Sequence, residues 1–126
     1  MASTAFLFPG QGSQSVGMLS EIGESYPIIK QTFAYASTIL DYDLWGVCAH
    51  GPEERLNATE ITQPAMLVAD IALWRLWCET SDLRPAMVAG HSLGEYAALV
   101  AAEAISFEDA IKLVALRGRL MQQAVP

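Results

Sequence analysis

Two short apolar runs along the chain predict β-strands. Residues 4–8 and residues 87–89 are almost entirely apolar, with no alternation of apolar and polar positions. The run at residues 4–8 is typical of a strand buried on both faces, as in parallel sheets that carry helices on either side. The pattern therefore predicts an α/β fold in which these two strands lie beside each other in one parallel sheet.

Helical periodicity accounts for much of the remaining chain. It runs over residues 18–40 with a break just before Pro27, which suits the first turn of a second helix. Residues 41–51 show no sustained period and are predicted to be irregular. Residues 65–74 are apolar on nearly every side, which predicts a central buried helix. Its one acidic residue, Asp70, must then find a partner or face a cleft.

The entrance to this buried helix is predicted to be a loop over residues 59–64. Thr62 or Gln63 is its predicted cap, and Pro64 suits the first helical turn. Gln63 therefore stands at the mouth of the helix. It either lines a pocket or only satisfies the helix end, and the pattern does not separate these alternatives.

A last helix, predicted over residues 107–124, carries an arginine on its apolar face. The helix opens with a capping box at residues 106–109. Arg117 falls on the apolar stripe, where a charge is costly unless it is paired. The pattern leaves two options: Arg117 pairs with an internal acid such as Asp70 or Glu95, or it binds a substrate carboxylate.

Composition and charge narrow the class of protein. The 126 residues can form one domain, and 52% of them are hydrophobic, above the roughly 45–50% usual for a soluble domain, so some apolar surface needs a cover. The net charge of −7 argues against nucleic acid or an anionic membrane as a partner. No run is long enough for a membrane span or a signal peptide, so we expect a cytoplasmic protein. Cys48 and Cys78 lack metal-ligand spacing and are expected to be reduced thiols.

The chemistry is concentrated at residues 90–94, which match the pattern G-x-S-x-G. The predicted strand at residues 87–89 runs into this turn, and a helical stretch at residues 97–102 follows. Such a turn holds its serine, here Ser92, at the tip, and the N–H groups at the helix start can stabilise an oxyanion beside it. The pattern predicts a nucleophile elbow rather than a glycine-rich turn with a capping serine.

The loop at residues 9–14 offers a second, weaker signal. Its two glycines allow the backbone to approach a ligand closely, and Gln11 and Gln14 carry side-chain donors. The loop matches no nucleotide-phosphate motif, so by itself it predicts only a turn. His50, beside a Gly-Pro turn, is interpreted as a surface loop residue.

Four segments together carry a family resemblance. They are residues 6–14 (FLFPGQGSQ), residues 61–65 (ITQPA), residues 90–96 (GHSLGEY), and Arg117-Gly118 with Met121-Gln122. In this order and spacing the chain resembles the malonyl-CoA:acyl carrier protein transacylases of fatty acid synthesis and the related acyltransferase domains of polyketide synthases. The resemblance reaches from residue 6 to residue 122, nearly the whole chain.

The resemblance implies a role for each matching residue. Ser92 would be the acylated nucleophile, and the backbone N–H groups of Gln11 and Leu93 would form the oxyanion hole. The remaining implied residues bind the substrate: Arg117 clamps the malonyl carboxylate, and Gln63 and His91 line the pocket. His91 beside Ser92 also favours malonyl over methylmalonyl. No metal or other cofactor is implied.

The implied reaction is a ping-pong transfer. Ser92 takes the malonyl group from malonyl-CoA, and the phosphopantetheine thiol of acyl carrier protein then removes it. Two alternatives remain at this point: a serine hydrolase of the G-x-S-x-G type, or an inactive chain that acts only as an interaction unit.

The chain departs from the family in length. Family members continue through a ferredoxin-like subdomain and the rest of the α/β-hydrolase-like domain, which carries the histidine base, whereas no histidine follows His91 here. We expect residues 1–126 to be the N-terminal part of that acyltransferase domain. Alone, it is expected to be inactive and to self-associate or to bind a complementary segment.

Overall fold

In a computed structural model the described residues are 4–124, and their two strands lie side by side in a parallel sheet. Their elements follow in this order: β1 (Ala5–Phe8), α1 (Ser20–Ser25), α2 (Pro27–Leu40), α3 (Leu44–His50), α4 (Glu53–Asn57), α5 (Thr59–Thr80), β2 (Met87–Gly90), α6 (Gly94–Ala101) and α7 (Phe107–Ala124). The α/β class and the pairing of the two strands are confirmed, with boundaries one residue away from those predicted.

The register of the sheet brings the ends of both strands together. Ala5 pairs with Met87, and Phe8 pairs with Gly90. Parallel strands end at the same edge of a sheet, so the loop after β1 and the turn after β2 leave from one place. This common exit positions the candidate active site.

The expectation that the first strand is buried on both faces is wrong. Leu7 is 74% exposed and Met87 is 63% exposed, on the same face of the sheet. The described helices cover only the opposite face, where the Phe6 ring meets the Trp74 ring edge-on at 5.1 Å. Both faces of the strands are apolar in sequence, but only one of them is covered by the described part of the chain.

Helix α5 forms the centre of the fold, as predicted. All of its residues from 62 to 72 are buried, and α2, α6 and α7 pack around it. Helix α7 runs antiparallel to α5: the Arg75 guanidinium lies over the Phe107 ring, whereas Gly118 packs near the start of α5. A Cβ on Gly118 would lie 3.0 Å from the Glu60 Cα, so glycine allows the two helices to approach closely there.

Helices α2 and α7 also follow the sequence prediction. Pro27 is the first residue of α2, and Ile29 and Phe33 are buried on its inner face. At the start of α7, the Asp109 N–H donates to the Ser106 hydroxyl at 3.0 Å, which is one of the two hydrogen bonds of a capping box.

The prediction of an irregular segment over residues 41–51 is wrong. Helix α3 occupies most of it, because the Asp43 side chain accepts from the Gly46 N–H at the helix start and three apolar residues of α3 are buried. His50 is the last residue of α3 and is exposed, so it lies at a helix end rather than in a loop.

The prediction of a loop over residues 59–64 is wrong as well. The N–H groups of Ile61 and Thr62 both donate to the Ala58 carbonyl, so helical bonding begins before the expected caps. The Thr62 hydroxyl donates backwards to the Leu56 and Ala58 carbonyls and is not a cap. Pro64 consequently lies inside α5 rather than in its first turn. The helix over residues 97–102 likewise begins earlier, at Gly94.

Two further features of the described residues are the state of the cysteine thiols and the hydropathy of the helices. Cys48 and Cys78 are both free, and burial raises the pKa of the Cys48 thiol to about 12. Among residues 4–124, no helix has both the length and the apolar character that a membrane crossing requires.

Asp70 is a buried acid at the centre of α5. It is 3% exposed, and its Oδ2 atom has no hydrogen-bond partner in the described part of the chain. Burial raises the pKa of this carboxyl from 3.8 to about 8. The folded chain therefore binds a proton here that the unfolded chain releases near pH 4.

We expect the stability of the chain to fall as pH rises from about 4 to about 8, because ionising Asp70 in the folded state is costly. Asp70→Asn should remove much of this slope and raise the free energy of unfolding at pH 8 by about 2–4 kcal/mol. Urea unfolding at several pH values, at one protein concentration, measures the change. Asp82→Asn, at an exposed aspartate, is the control, and equal slopes in the parent and in Asp70→Asn would contradict the prediction.

We also expect the 126-residue chain to self-associate through the sheet face that carries Leu7 and Met87. Exposed apolar area of this kind favours association by about 25 cal/mol per Å² removed from water. A chain with both Leu7→Thr and Met87→Thr should associate less by light scattering. Leu83→Thr is the control, because Leu83 is 66% exposed but lies outside the sheet. A parent chain that stays monomeric at every concentration would overturn this expectation.

Candidate active site

Ser92 lies in the short turn between β2 and α6. Its φ is 55°, in the left-handed region that residues other than glycine rarely adopt. The Glu95 N–H donates to the Ser92 carbonyl at 3.0 Å, so the helix begins directly after the turn. The turn presents an exposed serine side chain at the exit of the sheet.

Glycines allow the segments around Ser92 to approach one another. A Cβ on Gly94 would lie 2.1 Å from the Phe8 carbonyl oxygen, at the end of the neighbouring strand. A Cβ on Gly10 would lie 2.8 Å from the His91 carbonyl oxygen and 3.7 Å from the Leu93 nitrogen. The loop after β1 therefore packs directly against the turn that carries Ser92.

A chain of hydrogen bonds connects Ser92 to this first loop. Arg117 Nη2 donates to Ser92 Oγ at 3.2 Å, and Arg117 Nη1 donates to Gln63 Oε1. Gln63 Nε2 then donates to Gln11 Oε1 at 2.9 Å. Four residues from the first loop, α5, the turn and α7 thus meet in one place.

Arg117 makes no ion pair with any described residue. Neither Asp70 nor Glu95, its candidate acids, is within salt-bridge distance in the described residues. Its guanidinium is half-buried. The Gln63 amide oxygen accepts a hydrogen bond from it, and its central carbon lies 5.6 Å from the centre of the Tyr96 ring. A cation without a carboxylate partner therefore lies beside the Ser92 hydroxyl, which leaves the option of a bound anion.

Gln63 connects two side chains of this site, and its side-chain bonds in the described residues do not go to the backbone at the helix end. It is 1% exposed, and its amide bonds Arg117 through its oxygen and Gln11 through its nitrogen. Both bonds are to side chains from other elements.

Neither histidine is placed to act on Ser92. The His91 imidazole is exposed and makes no hydrogen bond within residues 4–124, although its backbone carbonyl accepts from the Gly94 N–H. His50 lies at the end of α3. In the described part of the chain, the partner of the Ser92 hydroxyl is Arg117.

Asn57 and Thr59 anchor the first loop through their side chains, and the sequence analysis assigned neither residue a role. Gln11 Nε2 donates to Thr59 Oγ1 at 3.3 Å, and Gln14 Nε2 donates to Asn57 Oδ1 at 2.9 Å. Within the loop, the Gly12 N–H donates to Gln14 Oε1 at 2.7 Å. The anchoring partners are separated by 48 and 43 residues, so no local pattern could have revealed them.

The site offers a hydroxyl, a cation and neutral amides. No group of three or more metal-ligating side chains is gathered within the described residues. A hydroxyl nucleophile beside a guanidinium is suited to chemistry on an acyl group that carries a negative charge.

Comparison with known proteins gives a consistent result. A family model described as acyl transferase domain matches residues 5–126. The malonyl CoA-acyl carrier protein transacylase of Salmonella typhimurium is 58% identical over 126 residues, which are 100% of this chain and 41% of that protein. The chain therefore spans about two fifths of the length of the curated relatives it matches.

Solved structures agree with the sequence match. A Vibrio cholerae acyl carrier protein S-malonyltransferase aligns with a TM-score of 0.95 and 58% identity over 99% of this chain and 41% of its own. A type II PKS acyl-carrier protein in complex with its malonyl-transacylase gives a TM-score of 0.96 and 55% identity, over 99% of this chain and 40% of that one. The strands and helices described above are thus similar to part of known acyltransferase structures.

Proposed function

The chain belongs to the acyl transferase domain family, and from this premise we propose that its protein transfers a malonyl group from malonyl-CoA to the phosphopantetheine thiol of acyl carrier protein. The observation that carries the proposal is the position of Arg117, a cation without an acidic partner in the described residues, 3.2 Å from the Ser92 hydroxyl. Close relatives that carry the name malonyl CoA-acyl carrier protein transacylase support it.

Ser92 is the proposed nucleophile, and its turn is the proposed nucleophile elbow of an α/β-hydrolase-like domain. Its oxygen attacks the thioester carbon of malonyl-CoA, the coenzyme A thiol leaves, and a malonyl-serine ester remains. The position of Ser92 between β2 and α6 and its φ of 55° support this role.

The oxyanion hole is proposed to consist of the Gln11 and Leu93 N–H groups. The nearness of the two loops at Gly10 supports this assignment, because it places both backbones beside Ser92. N–H groups held in this way stabilise the negative charge that develops on the carbonyl oxygen during both half-reactions.

Arg117 is the proposed source of acyl selectivity. It binds the malonyl carboxylate with charge-assisted hydrogen bonds, while Gln63 holds its other nitrogen and His91 lines the entrance. A site with this half-buried guanidinium rejects acyl groups that cannot pair with it. The same argument favours transfer of malonyl over general ester hydrolysis.

The proton on Ser92 requires a base that residues 4–124 do not place within reach, since neither histidine contacts Ser92. We propose that a histidine from the further length seen in the relatives supplies it, as the family resemblance implies. The base passes the Ser92 proton to the departing coenzyme A thiolate. It then takes the proton of the acceptor thiol as that thiol attacks the malonyl ester, and it returns this proton to the Ser92 oxygen.

A chimera tests this function directly. These 126 residues replace the matching portion of the Salmonella typhimurium relative, which restores the full length. We expect malonyl transfer to acyl carrier protein by the chimera, negligible transfer by the 126-residue chain alone, and a loss of about three orders of magnitude or more in Ser92→Ala. Rapid malonate release without an acceptor thiol would instead favour a hydrolase, and a folded but inactive chimera would contradict the proposal.

In the same chimera, Arg117→Ala should raise the barrier for malonyl-CoA by about 2–3 kcal/mol, the cost of a lost charge-assisted hydrogen bond. Acetyl-CoA has no carboxylate to bind, so its use should be spared or improved. Values of kcat/KM for the two donors measure the effect. Arg119→Ala, which removes an exposed arginine two residues away, is the matched control, and an equal loss with both donors would count against carboxylate binding.

A further inference from the structure

We propose that Thr59 is a positioning residue that orients the Arg117 guanidinium for the substrate carboxylate through two intervening glutamines. The inference rests on the proposed function, because it deepens the role of the same site. Thr59 Oγ1 accepts from Gln11 Nε2 at 3.3 Å, and Gln11 in turn accepts from Gln63, which accepts from Arg117.

The donor and acceptor chemistry of this chain allows only one direction. An arginine side chain can donate but cannot accept, so Gln63 must turn its amide oxygen towards Arg117. Its NH₂ group then points away and requires an acceptor, which is the Gln11 oxygen. The Gln11 NH₂ group requires an acceptor in turn, and the Thr59 hydroxyl provides it. Thr59 is therefore the final acceptor in a series of two glutamine amides. Each amide accepts through its oxygen on the Arg117 side and donates through its nitrogen on the Thr59 side.

One helix, α5, supplies both side chains that bond the Gln11 amide. Thr59 is the first residue of α5 and Gln63 lies four residues later, so both side chains point from the same helix face, one turn apart. The Gln11 amide spans that turn, with its nitrogen on Thr59 and its oxygen on Gln63. A single helix turn thus holds both ends of the Gln11 amide.

The backbone of the first loop has a separate anchor. Gln14 bonds Asn57 with its nitrogen and the Gly12 N–H with its oxygen, independently of Thr59. Loss of the Thr59 hydroxyl would free the Gln11 amide to turn, and Gln63 would then lose the acceptor that fixes its orientation. The loop backbone, with the proposed oxyanion donor, would remain held. Thr59 should therefore affect carboxylate binding more than the chemical step.

The test uses Thr59→Val in the chimera, because valine keeps the shape of threonine and removes its hydroxyl. We expect KM for malonyl-CoA to rise about 3- to 10-fold, the range typical of losing one hydrogen bond, with kcat changed less than about twofold. Thr59→Ser restores the hydroxyl and should restore KM. Thr80→Val is the matched control at the other end of α5, where the hydroxyl bonds only the Leu76 carbonyl of its own helix.

Each outcome decides the matter. If the parent chimera is active and Thr59→Val leaves KM unchanged, or lowers kcat alone, the positioning role is wrong while the proposed function stands. Failure of Thr59→Ser to restore KM also overturns it, since the methyl group rather than the hydroxyl would then matter. A folded but inactive parent overturns the proposed function and this inference with it. Thr59→Ala is the second variant if Thr59→Val does not fold.

Discussion

The close approach of Gly94 to the end of β1 is the constraint on which the site depends. A Cβ at this position would lie 2.1 Å from the Phe8 carbonyl oxygen, so the start of α6 can pack against the neighbouring strand only without a side chain. The parallel register then delivers both chain segments to one edge of the sheet. Because these contacts are between backbones, they set the distance between the first loop and Ser92 independently of any flexible side chain. The side chains of the site therefore extend from backbone segments whose relative positions are already fixed.

Helix α7 adds a cation to this arrangement, and its environment explains why the charge is tolerated. Arg117 is half-buried, yet the Gln63 oxygen accepts from it and the Tyr96 ring lies 5.6 Å away. Neutral acceptors and an aromatic face reduce the cost of desolvation without cancelling the charge. The guanidinium remains able to bind an anion, which an internal salt bridge would have prevented. The helix can place it there because Gly118, the next residue, allows α7 to lie close against the start of α5.

The sequence predicted the elements whose signals are local. The strands, the Pro27 start of α2 and the full length of α7 follow from apolar runs and cap residues within a few positions. It missed α3, whose seven residues are too few for a clear period although Asp43 caps it. It also placed the start of α5 too late, because Ala58, the residue before the helix, provides no side-chain cap. It singled out Ser92, Gln11, Gln63 and Arg117, whose side chains the fold brings together, but not the bond from Gln11 to Thr59, because partners 48 residues apart leave no local pattern. It also took the first strand to be covered on both faces, which its residues by themselves do not determine.

The burial of Asp70 affects the net charge near the candidate active site. Asp70 lies seven residues after Gln63 on α5, about two turns and roughly 10 Å along the helix axis. With a pKa of about 8, its carboxyl is mostly protonated at neutral pH, so it carries little charge that could attract Arg117. Burial thus keeps the acid of the core from offering the arginine a charged partner. A positive charge without an acidic partner in the described residues therefore lies beside Ser92, and a carboxylate is a ligand that such a charge can bind.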